Sequence, residues 1–373
     1  MIATNNSIDI KKRQLNIELL RIICSIFICI HHFTINKYNI SPANFNNEIS
    51  NLKLTSLAFF INSFVIISVN VYFLISGYFG IKLNIKKIIS LILNVIFYFV
   101  IFYFLDILLN YRTISANEYI YNFKNCLRTT WYIYVYIIIV LLSPILNKIV
   151  ENLNKQIAKY IIIITFIFFS TIMFINPLNS IGINGGYSLI SGIYLYLIGA
   201  IIKKYDFFAK GKKNNLIIYL CCNIINWLLS IFFIVIIKNK LIAVNIFLYN
   251  NPLIILSSIS FLKLFLNINI KESKYSRNII LCFSKHVVTI YILQQFSNFT
   301  SNFYSLLLPN FVTNNIIILE IIYVIICSLI WFITSFIIDC LISLIIKNTI
   351  NIVSEKLSIK IKNIFYKISK VIK

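Results

Sequence analysis

Apolar stretches of about 20 residues recur along the whole chain and are separated by short polar segments. Each stretch is long enough to cross ~30 Å of hydrocarbon as a helix, and a helix is required there because lipid offers the backbone no hydrogen-bond partners. The pattern predicts an all-α integral membrane protein. About ten transmembrane helices are expected, near residues 15–35, 55–79, 88–110, 131–147, 158–176, 187–202, 214–237, 243–266, 281–298 and 315–346.

Composition supports this class. Of the 373 residues, 60% are hydrophobic and 12% are charged, which is too little polar surface for a soluble domain of this length. Proline and glycine are scarce, with five and eight copies, so the helices are expected to be long and mostly unbroken. The pattern divides the chain into two parts, a transmembrane domain over residues 1–346 and a basic amphipathic cytoplasmic tail over residues 347–373.

The net charge of +23 is distributed unevenly between the two sides of the predicted topology. With the N-terminus inside, the cytoplasmic segments hold 25 lysines and arginines and the opposite side holds seven. This bias follows the positive-inside rule and predicts cytoplasmic N- and C-termini in a multi-pass protein of the cell membrane. The basicity therefore indicates topology and contact with membrane lipid, and we expect no nucleic acid among the partners.

Polar residues inside the apolar spans are the informative ones, because each costs ~2.5–3.5 kcal/mol at the centre of a membrane helix. The first span carries the densest set. Its Arg21 and His32 are eleven positions apart, which is about three full turns and a rise of about 16–17 Å, so both side chains line one face of the helix. Glu18 and Ser25 lie within about 60° of that face, whereas His31 points roughly 80° away from it.

Each of these residues also has a purely structural interpretation. Arg21 can extend to the inner interface and pair with Glu18 three residues earlier, and His32 can be a satisfied polar group in a helix bundle. Their alignment on one polar face, which we call the stripe and which holds Glu18, Arg21, Ser25 and His32, favours a functional path through the membrane. The chain has only three histidines, so candidates for a general base are few.

The segment Glu18-Leu19-Leu20-Arg21, followed after ten residues by His32, resembles the first-helix signature of membrane acyltransferase family 3. These are polytopic enzymes that O-acetylate surface polysaccharides and related polymers. The tandem His31-His32 followed by Phe33 resembles the low-GC Gram-positive branch of that family.

Further motifs extend the resemblance over nearly the whole chain. Residues 69–79 match the family's aromatic-aromatic-x-x-Ser-Gly-aromatic pattern at Ser76-Gly77, with Asn70 where many members have Asp. Trp131-Tyr132 opens the fourth span. Gln294 stands where many relatives have His, so it cannot act there as an acid or a base. Asn70 cannot hold a negative charge, and we expect it to hydrogen-bond a partner such as Arg21 or His32.

The resemblance implies a membrane-bound O-acetyltransferase that moves an acyl group from acyl-CoA to a hydroxyl of a surface glycan or lipid-linked saccharide. Acetyl-CoA would be a co-substrate, with no other cofactor and no metal. The catalytic candidates are His32 and Arg21. The substrate-binding candidates are Glu18, Asn70, Ser76, Gly77, Trp131 and Tyr132.

Topology sorts these candidates by depth. Arg21 and Ser76-Gly77 are expected near the cytoplasmic face, where Arg21 would hold the donor with help from lysines such as Lys86 and Lys87. His32 is expected toward the outer face, level with Trp131, with Asp106 and Glu320 as candidates to orient it or the acceptor. Asp339 is expected to contact basic residues at the level of the lipid head groups.

Two other functions stay open. One is a transporter or flippase of a lipid-linked saccharide, which would be marked by paired halves and by helices broken near the midplane at Gly or Pro. The other is an inactive homologue that serves as an assembly partner, although the chain keeps both Arg21 and His32.

Overall fold

A computed structural model of the chain is a bundle of helices, and no strand occurs among the residues that it describes. These are residues 13–38, 40, 52–110, 117, 121, 124, 129–172, 174, 182, 184–208, 211–295, 300, 303–304 and 316–371. Side chains are described over the same residues except at 106, 109, 110 and 365–371.

The helices of more than three residues follow one another in the order α1 Leu15–Tyr38, α2 Leu52–Val65, α3 Ser68–Phe79, α4 Ile85–Asn110, α5 Trp131–Asn152, α6 Lys155–Thr165, α7 Leu189–Tyr205, α8 Lys212–Val235, α9 Lys240–Asn245, α10 Pro252–Leu266, α11 Lys274–Ser284, α12 Val287–Gln294 and α13 Ile317–Val371. A π-helical segment, Phe166–Ile172, continues α6.

Seven of the described stretches are long and apolar enough to cross a membrane: Leu15–Tyr38, Leu52–Phe79, Ile85–Leu105, Trp131–Asn152, Lys155–Ile172, Lys212–Val235 and Ile317–Ile364. They correspond to seven of the ten predicted spans. The prediction of an all-α membrane protein is therefore confirmed, whereas the number ten and the side of each terminus stay predictions.

The other three predicted spans form shorter helices, and the expectation of mostly unbroken helices is wrong for two of them. The predicted 187–202 span is the 17-residue α7, and the predicted 281–298 span contains α11 and α12 with a break at Lys285-His286. The predicted 243–266 span breaks before Pro252. Proline lacks the N–H that a helix interior needs, and Asn251 caps the new helix by accepting a hydrogen bond from the Leu253 N–H at 2.8 Å.

The last helix is longer than predicted. α13 runs without interruption from Ile317 to Val371, so the predicted tail after residue 346 continues the final span as one helix. Lys86 at the start of α4 pairs with Glu355 at 2.8 Å and thereby connects the tail to the rest of the bundle.

α1 lies at the centre of the bundle and contacts α2, α3, α10, α11, α12 and α13. It runs antiparallel to α2 and α3, as two contacts show: His31 meets Asn62, and the Tyr72 hydroxyl donates to the Arg21 carbonyl at 2.7 Å. Ten residues therefore separate the contact points on each side. The position of a group along the α1 axis can therefore be judged from its distance to these two contacts.

The closest helix contact joins α3 to α7. A Cβ atom added at Gly77 would lie 1.8 Å from the Tyr196 carbonyl oxygen, and one added at Gly199 would lie 2.2 Å from the Leu74 carbonyl oxygen. The two glycines thus remove side chains from opposite sides of one contact. Small residues allow this approach in membrane helices, where dispersion contacts stabilise packing.

Candidate functional site

The inner half of the predicted stripe is an ion pair on α1. Arg21 Nη1 lies 3.1 Å from Glu18 Oε1, and the Glu18 side chain is 6% exposed. Arg13 approaches the second Glu18 oxygen at 3.8 Å. The Arg21 side chain is 33% exposed, so it is held at one point by a buried carboxylate and retains surface for a ligand.

The two adjacent histidines have different surroundings. His31 Nδ1 lies 2.5 Å from Asn62 Oδ1 on α2, so this ring connects two helices. The His32 ring contacts the His31 ring edge-on, with centroids 5.3 Å apart. Within the described part of the chain, the ring nitrogens of His32 have no hydrogen-bond partner, and its side chain is half-buried. An imidazole in this state can accept a proton from a bound hydroxyl.

A third polar group lies on the stripe between these two residues. The Ser25 hydroxyl is buried, and it has no hydrogen-bond partner among the described residues. A buried hydroxyl without a partner costs free energy unless a water or a ligand group meets it. The stripe can therefore bind a water molecule or a polar group of a ligand at Ser25.

Arg21 faces a cluster of aromatic rings. Its charge lies within electrostatic range of the Tyr72, Tyr132 and Tyr136 phenols. We call the following contacting rings the aromatic cluster: Tyr72, Phe73, Trp131, Tyr132, Tyr136, Tyr187, Tyr249 and Tyr291. The cluster brings together residues from three helices and two connections, and among them only Trp131 and Tyr132 were predicted as site residues.

The cluster corrects the predicted height of Trp131. The ring of Trp131 packs on Phe73 with centroids 6.5 Å apart, and Phe73 follows Tyr72, whose hydroxyl bonds the Arg21 carbonyl. Trp131 therefore lies toward the Arg21 end of α1, and the prediction that it is level with His32 is wrong. The prediction assumed that a helix begins at the membrane surface. α5 begins at Trp131, beside the Arg21 half of α1.

Asn70 has a different partner from the one expected. Its Nδ2 donates to the Tyr249 backbone carbonyl at 2.9 Å, and the residue is 1% exposed. The expectation that it bonds Arg21 or His32 is wrong. Asn70 instead fixes the connection before α10, which carries the Tyr249 ring of the aromatic cluster.

The Ser-Gly motif serves mainly the backbone in this structure. The Ser76 hydroxyl donates to the Tyr72 carbonyl of its own helix at 2.8 Å, and Gly77 meets α7. Tyr196 of α7 accepts from the Ile81 N–H at 3.0 Å and donates to Asn147 at 2.7 Å. The motif thus holds the end of α3 against α5 and α7, beside the Arg21 end of the stripe.

The candidate orienting carboxylates are placed elsewhere or lie outside the described side chains. Glu320 forms an ion pair with Lys37 and accepts a hydrogen bond from Tyr38 at 2.7 Å, at the end of α1 beyond His32. The side chain of Asp106 is outside the described part of the structure. Of the lysines proposed for the donor, Lys86 is paired with Glu355.

Gln294 is a buried amide on α12. Its Nε2 donates to the Tyr304 hydroxyl at 2.7 Å, and Tyr304 packs edge-on against Phe33, with ring centroids 4.9 Å apart. The Gln294 carbonyl oxygen is buried without a hydrogen-bond partner in the described structure. Tyr304 thus connects this amide to Phe33, the residue that follows His32.

One group of ionisable residues was not predicted. Asp339 lies 2.5 Å from His286 Nδ1 and also accepts a hydrogen bond from Tyr98. Contact of Asp339 with basic residues near the head groups was expected; its partners in the structure are a half-buried imidazole and a phenol. The 53 residues between His286 and Asp339 left no local spacing that could reveal the pair.

Comparison with known families agrees with the motif assignment. Residues 14–340 match the acyltransferase 3 family, described as an acyltransferase domain. The chain belongs to the acyltransferase 3 family. No curated protein and no solved structure matches it at a significant level. The match contains every residue of the stripe, the aromatic cluster and the Tyr98-His286-Asp339 group.

Membership in the acyltransferase 3 family indicates membrane acyltransferase activity, and it does not favour the transporter alternative. The coarse prediction of an acyltransferase embedded in a membrane is thereby confirmed. The roles of individual site residues, the acyl group, the donor and the acceptor stay predictions.

Proposed function

We propose that this protein transfers an acyl group, acetyl in the simplest case, from cytoplasmic acyl-CoA to a hydroxyl of a cell-surface polysaccharide or glycolipid. The observation that carries the proposal is the stripe on α1. Arg21, a partly exposed cation, lies at one end of the stripe. His32 lies about 16–17 Å away, and its imidazole has no hydrogen-bond partner among the described residues.

Arg21 is the donor-binding residue in this proposal. Glu18 holds one side of its guanidinium, and the remaining donors bind a phosphate or the pantetheine arm of acyl-CoA. The rings of the aromatic cluster cover this end of the stripe and present apolar faces to the arm. Membrane depth strengthens these contacts because little water competes for them.

His32 is the general base. It takes the proton of the acceptor hydroxyl, the hydroxyl oxygen attacks the thioester carbonyl, and the C–S bond breaks to release the CoA thiolate. The imidazolium then returns its proton to that thiolate. One ester forms, one thioester is lost, and His32 ends in its initial state.

Comparison of wild-type and gene-deleted cells tests the activity. NMR of purified surface polymers should show loss of O-acetyl groups from one glycan in the deleted strain, and restoration by the wild-type gene. Unchanged O-acyl content in every surface glycan would contradict the proposal, and accumulation of an unexported lipid-linked saccharide would favour the transporter.

Three alanine variants test the residue roles in the complemented strain. His32→Ala should lower transfer about 100-fold or more, as expected for loss of a general base, and Arg21→Ala about 10- to 100-fold. His31→Ala should retain much of the activity, because His31 bonds Asn62. Asn62→Ala is the matched control: the two variants should have the same small effect. Equal losses in His31→Ala and His32→Ala would show that the two histidines were assigned wrongly.

A further inference from the structure

A partly buried group of ionisable side chains lies outside the stripe. It comprises Tyr98 of α4, His286 at the N-terminal end of α12, and the neighbours Asp339 and Cys340 of α13. His286 Nδ1 lies 2.5 Å from Asp339 Oδ2, and the second Asp339 oxygen accepts a hydrogen bond from Tyr98. On the other side of the imidazole, His286 Nε2 lies 3.9 Å from Cys340 Sγ.

The Asp339 carboxylate determines which nitrogen of the His286 imidazole carries the proton. Asp339 is 5% exposed and Tyr98 is 1% exposed, so both oxygens of the carboxylate are engaged inside the protein. A carboxylate accepts hydrogen bonds, and it therefore favours the tautomer of His286 that carries a proton on Nδ1. The lone pair of Nε2 then points to the Cys340 thiol.

This arrangement is that of an activated nucleophile: a thiol, a base within reach and a third group that orients the base. Cys340 is also accessible, since its side chain is partly exposed whereas Cys24, Cys29 and Cys327 are buried. Ionisable groups at membrane depth are costly, and their retention marks functional positions. Packing alone has no need of a carboxylate and an imidazole here.

We propose that Cys340 is an acyl-accepting thiol, with His286 as its base and with Asp339 and Tyr98 as positioning residues. The inference rests on the proposed function in one respect, the presence of a thioester donor in the membrane acyltransferase. It replaces direct attack on acyl-CoA with two transfers: the acyl group passes first to Cys340, and the acceptor hydroxyl then attacks S-acyl Cys340 and releases its thiolate, which is reprotonated by the base that took the hydroxyl proton.

The step exchanges one thioester for another. His286 Nε2 takes the Cys340 proton, the thiolate sulfur attacks the carbonyl carbon of the acyl-CoA, and the bond from that carbon to the CoA sulfur breaks. The proton on His286 passes to the CoA thiolate. The products are S-acyl Cys340 and free CoA, and no oxidant or reductant is consumed.

The thiol centre adjoins the stripe. α12 packs on α1, and Tyr291, five residues after His286 on α12, lies with its ring 5.6 Å from that of Tyr132. Tyr132 in turn lies within electrostatic range of Arg21. The first turns of α12 and the contact of Tyr291 with Tyr132 therefore connect the thiol centre with the proposed donor-binding end of α1.

The test uses the purified full-length protein with acetyl-CoA labelled in its acetyl group. Wild-type protein should acquire label that neutral hydroxylamine releases, and mass spectrometry should place the acetyl group on Cys340. Cys340→Ala should lose this label. Cys282→Ala should retain it, which is the matched control because Cys282 is an exposed thiol within electrostatic range of Cys340. His286→Gln should slow labelling about 100-fold or more.

The wild-type result decides the inference even where a variant fails to fold. Absence of acetyl on Cys340 in folded, monodisperse wild-type protein would overturn it, as would unchanged labelling of Cys340 in His286→Gln. The two proposals also fail separately. Glycan O-acetylation that requires His32 but proceeds without acyl-Cys340 refutes only the thiol, whereas labelled Cys340 in a protein whose deletion leaves every glycan unchanged refutes only the glycan acceptor.

Discussion

Glu18 shows how one buried residue prepares another for binding. Its side chain is 6% exposed, and it holds the Arg21 guanidinium at 3.1 Å on the same helix. A carboxylate three residues before a cation on a helix is well placed to pair with it. Glu18 also lies in the first turn of α1, where the helix dipole favours negative charge. The pair therefore fixes the direction of Arg21 before any donor arrives.

We predict that Glu18→Gln raises the KM for acyl-CoA by about 5- to 30-fold and changes kcat less. The amide preserves the shape but removes the charge that orients Arg21, a loss of about 1–2 kcal/mol for a charge-assisted hydrogen bond. The measurement is steady-state kinetics with acyl-CoA as the varied substrate.

Arg13→Ala is the control for Glu18→Gln, because Arg13 is 3.8 Å from Glu18 and 44% exposed. Pairs of this kind contribute about 0–1 kcal/mol, so its kinetics should stay near wild type. A fall in kcat with unchanged KM in Glu18→Gln would contradict a positioning role and place Glu18 in the chemical step.

At the scale of single helices, the sequence predicted long apolar spans far better than short ones. α1 and α3 end near their predicted limits, and α5 begins at Trp131 as predicted. Such spans have one dominant cause, the burial of about 20 apolar residues in lipid. α11 and α12 were not predicted as separate helices, because they have only 11 and 8 residues. The start of α11 depends on the cap that Ser273 provides.

The contact of α3 with α7 supplies a prediction about stability. Gly77→Ala should destabilise the protein by about 2–3 kcal/mol or more, because its Cβ would lie 1.8 Å from the Tyr196 carbonyl oxygen and the helices must separate. Gly199→Ala should have a similar effect. The double variant should cost less than the sum, since one separation relieves both clashes.

The measurement is thermal unfolding of detergent-solubilised protein followed by size-exclusion chromatography. Ser76→Ala is the matched control, since it changes the neighbouring residue and removes a hydrogen bond within α3 only. Its stability should remain within about 0.5 kcal/mol of wild type. A Gly77→Ala protein as stable as Ser76→Ala would mean that α3 and α7 do not pack this closely.

At the scale of the whole molecule, the candidate site depends on contacts that no local pattern contains. The α1 stripe follows from helical periodicity, so Arg21 and His32 were visible in the sequence. The aromatic cluster and the His286-Asp339 pair require knowledge of which helices meet. Tyr249, for example, packs on Trp131 while Asn70 of α3 binds its carbonyl across 179 residues of chain.

α13 closes the bundle by binding α1 at one end and α4 at the other, through two ion pairs of different exposure. Lys37 and Glu320 are 15% and 7% exposed at the side chain, whereas Lys86 and Glu355 are 44% and 60% exposed. Breaking a buried pair leaves one charge without compensation, but an exposed charge is solvated after its partner is lost. The two pairs on one helix therefore form an internal comparison.

We predict that Glu320→Gln lowers stability by about 2–4 kcal/mol, because Lys37 stays partly buried beside the Tyr323 ring, 4.3 Å from its centroid, without the carboxylate. Glu355→Gln should leave the unfolding midpoint close to that of wild type, because Lys86 is solvated after its partner is lost. The exchanged pair Lys37→Glu with Glu320→Lys should recover part of the loss, since the opposite charges meet again, and unfolding midpoints of the four proteins measure this. Equal losses in Glu320→Gln and Glu355→Gln, or no recovery in the exchanged pair, would show that α13 is held by apolar packing, with the charge of Glu320 contributing nothing to the closure of the bundle.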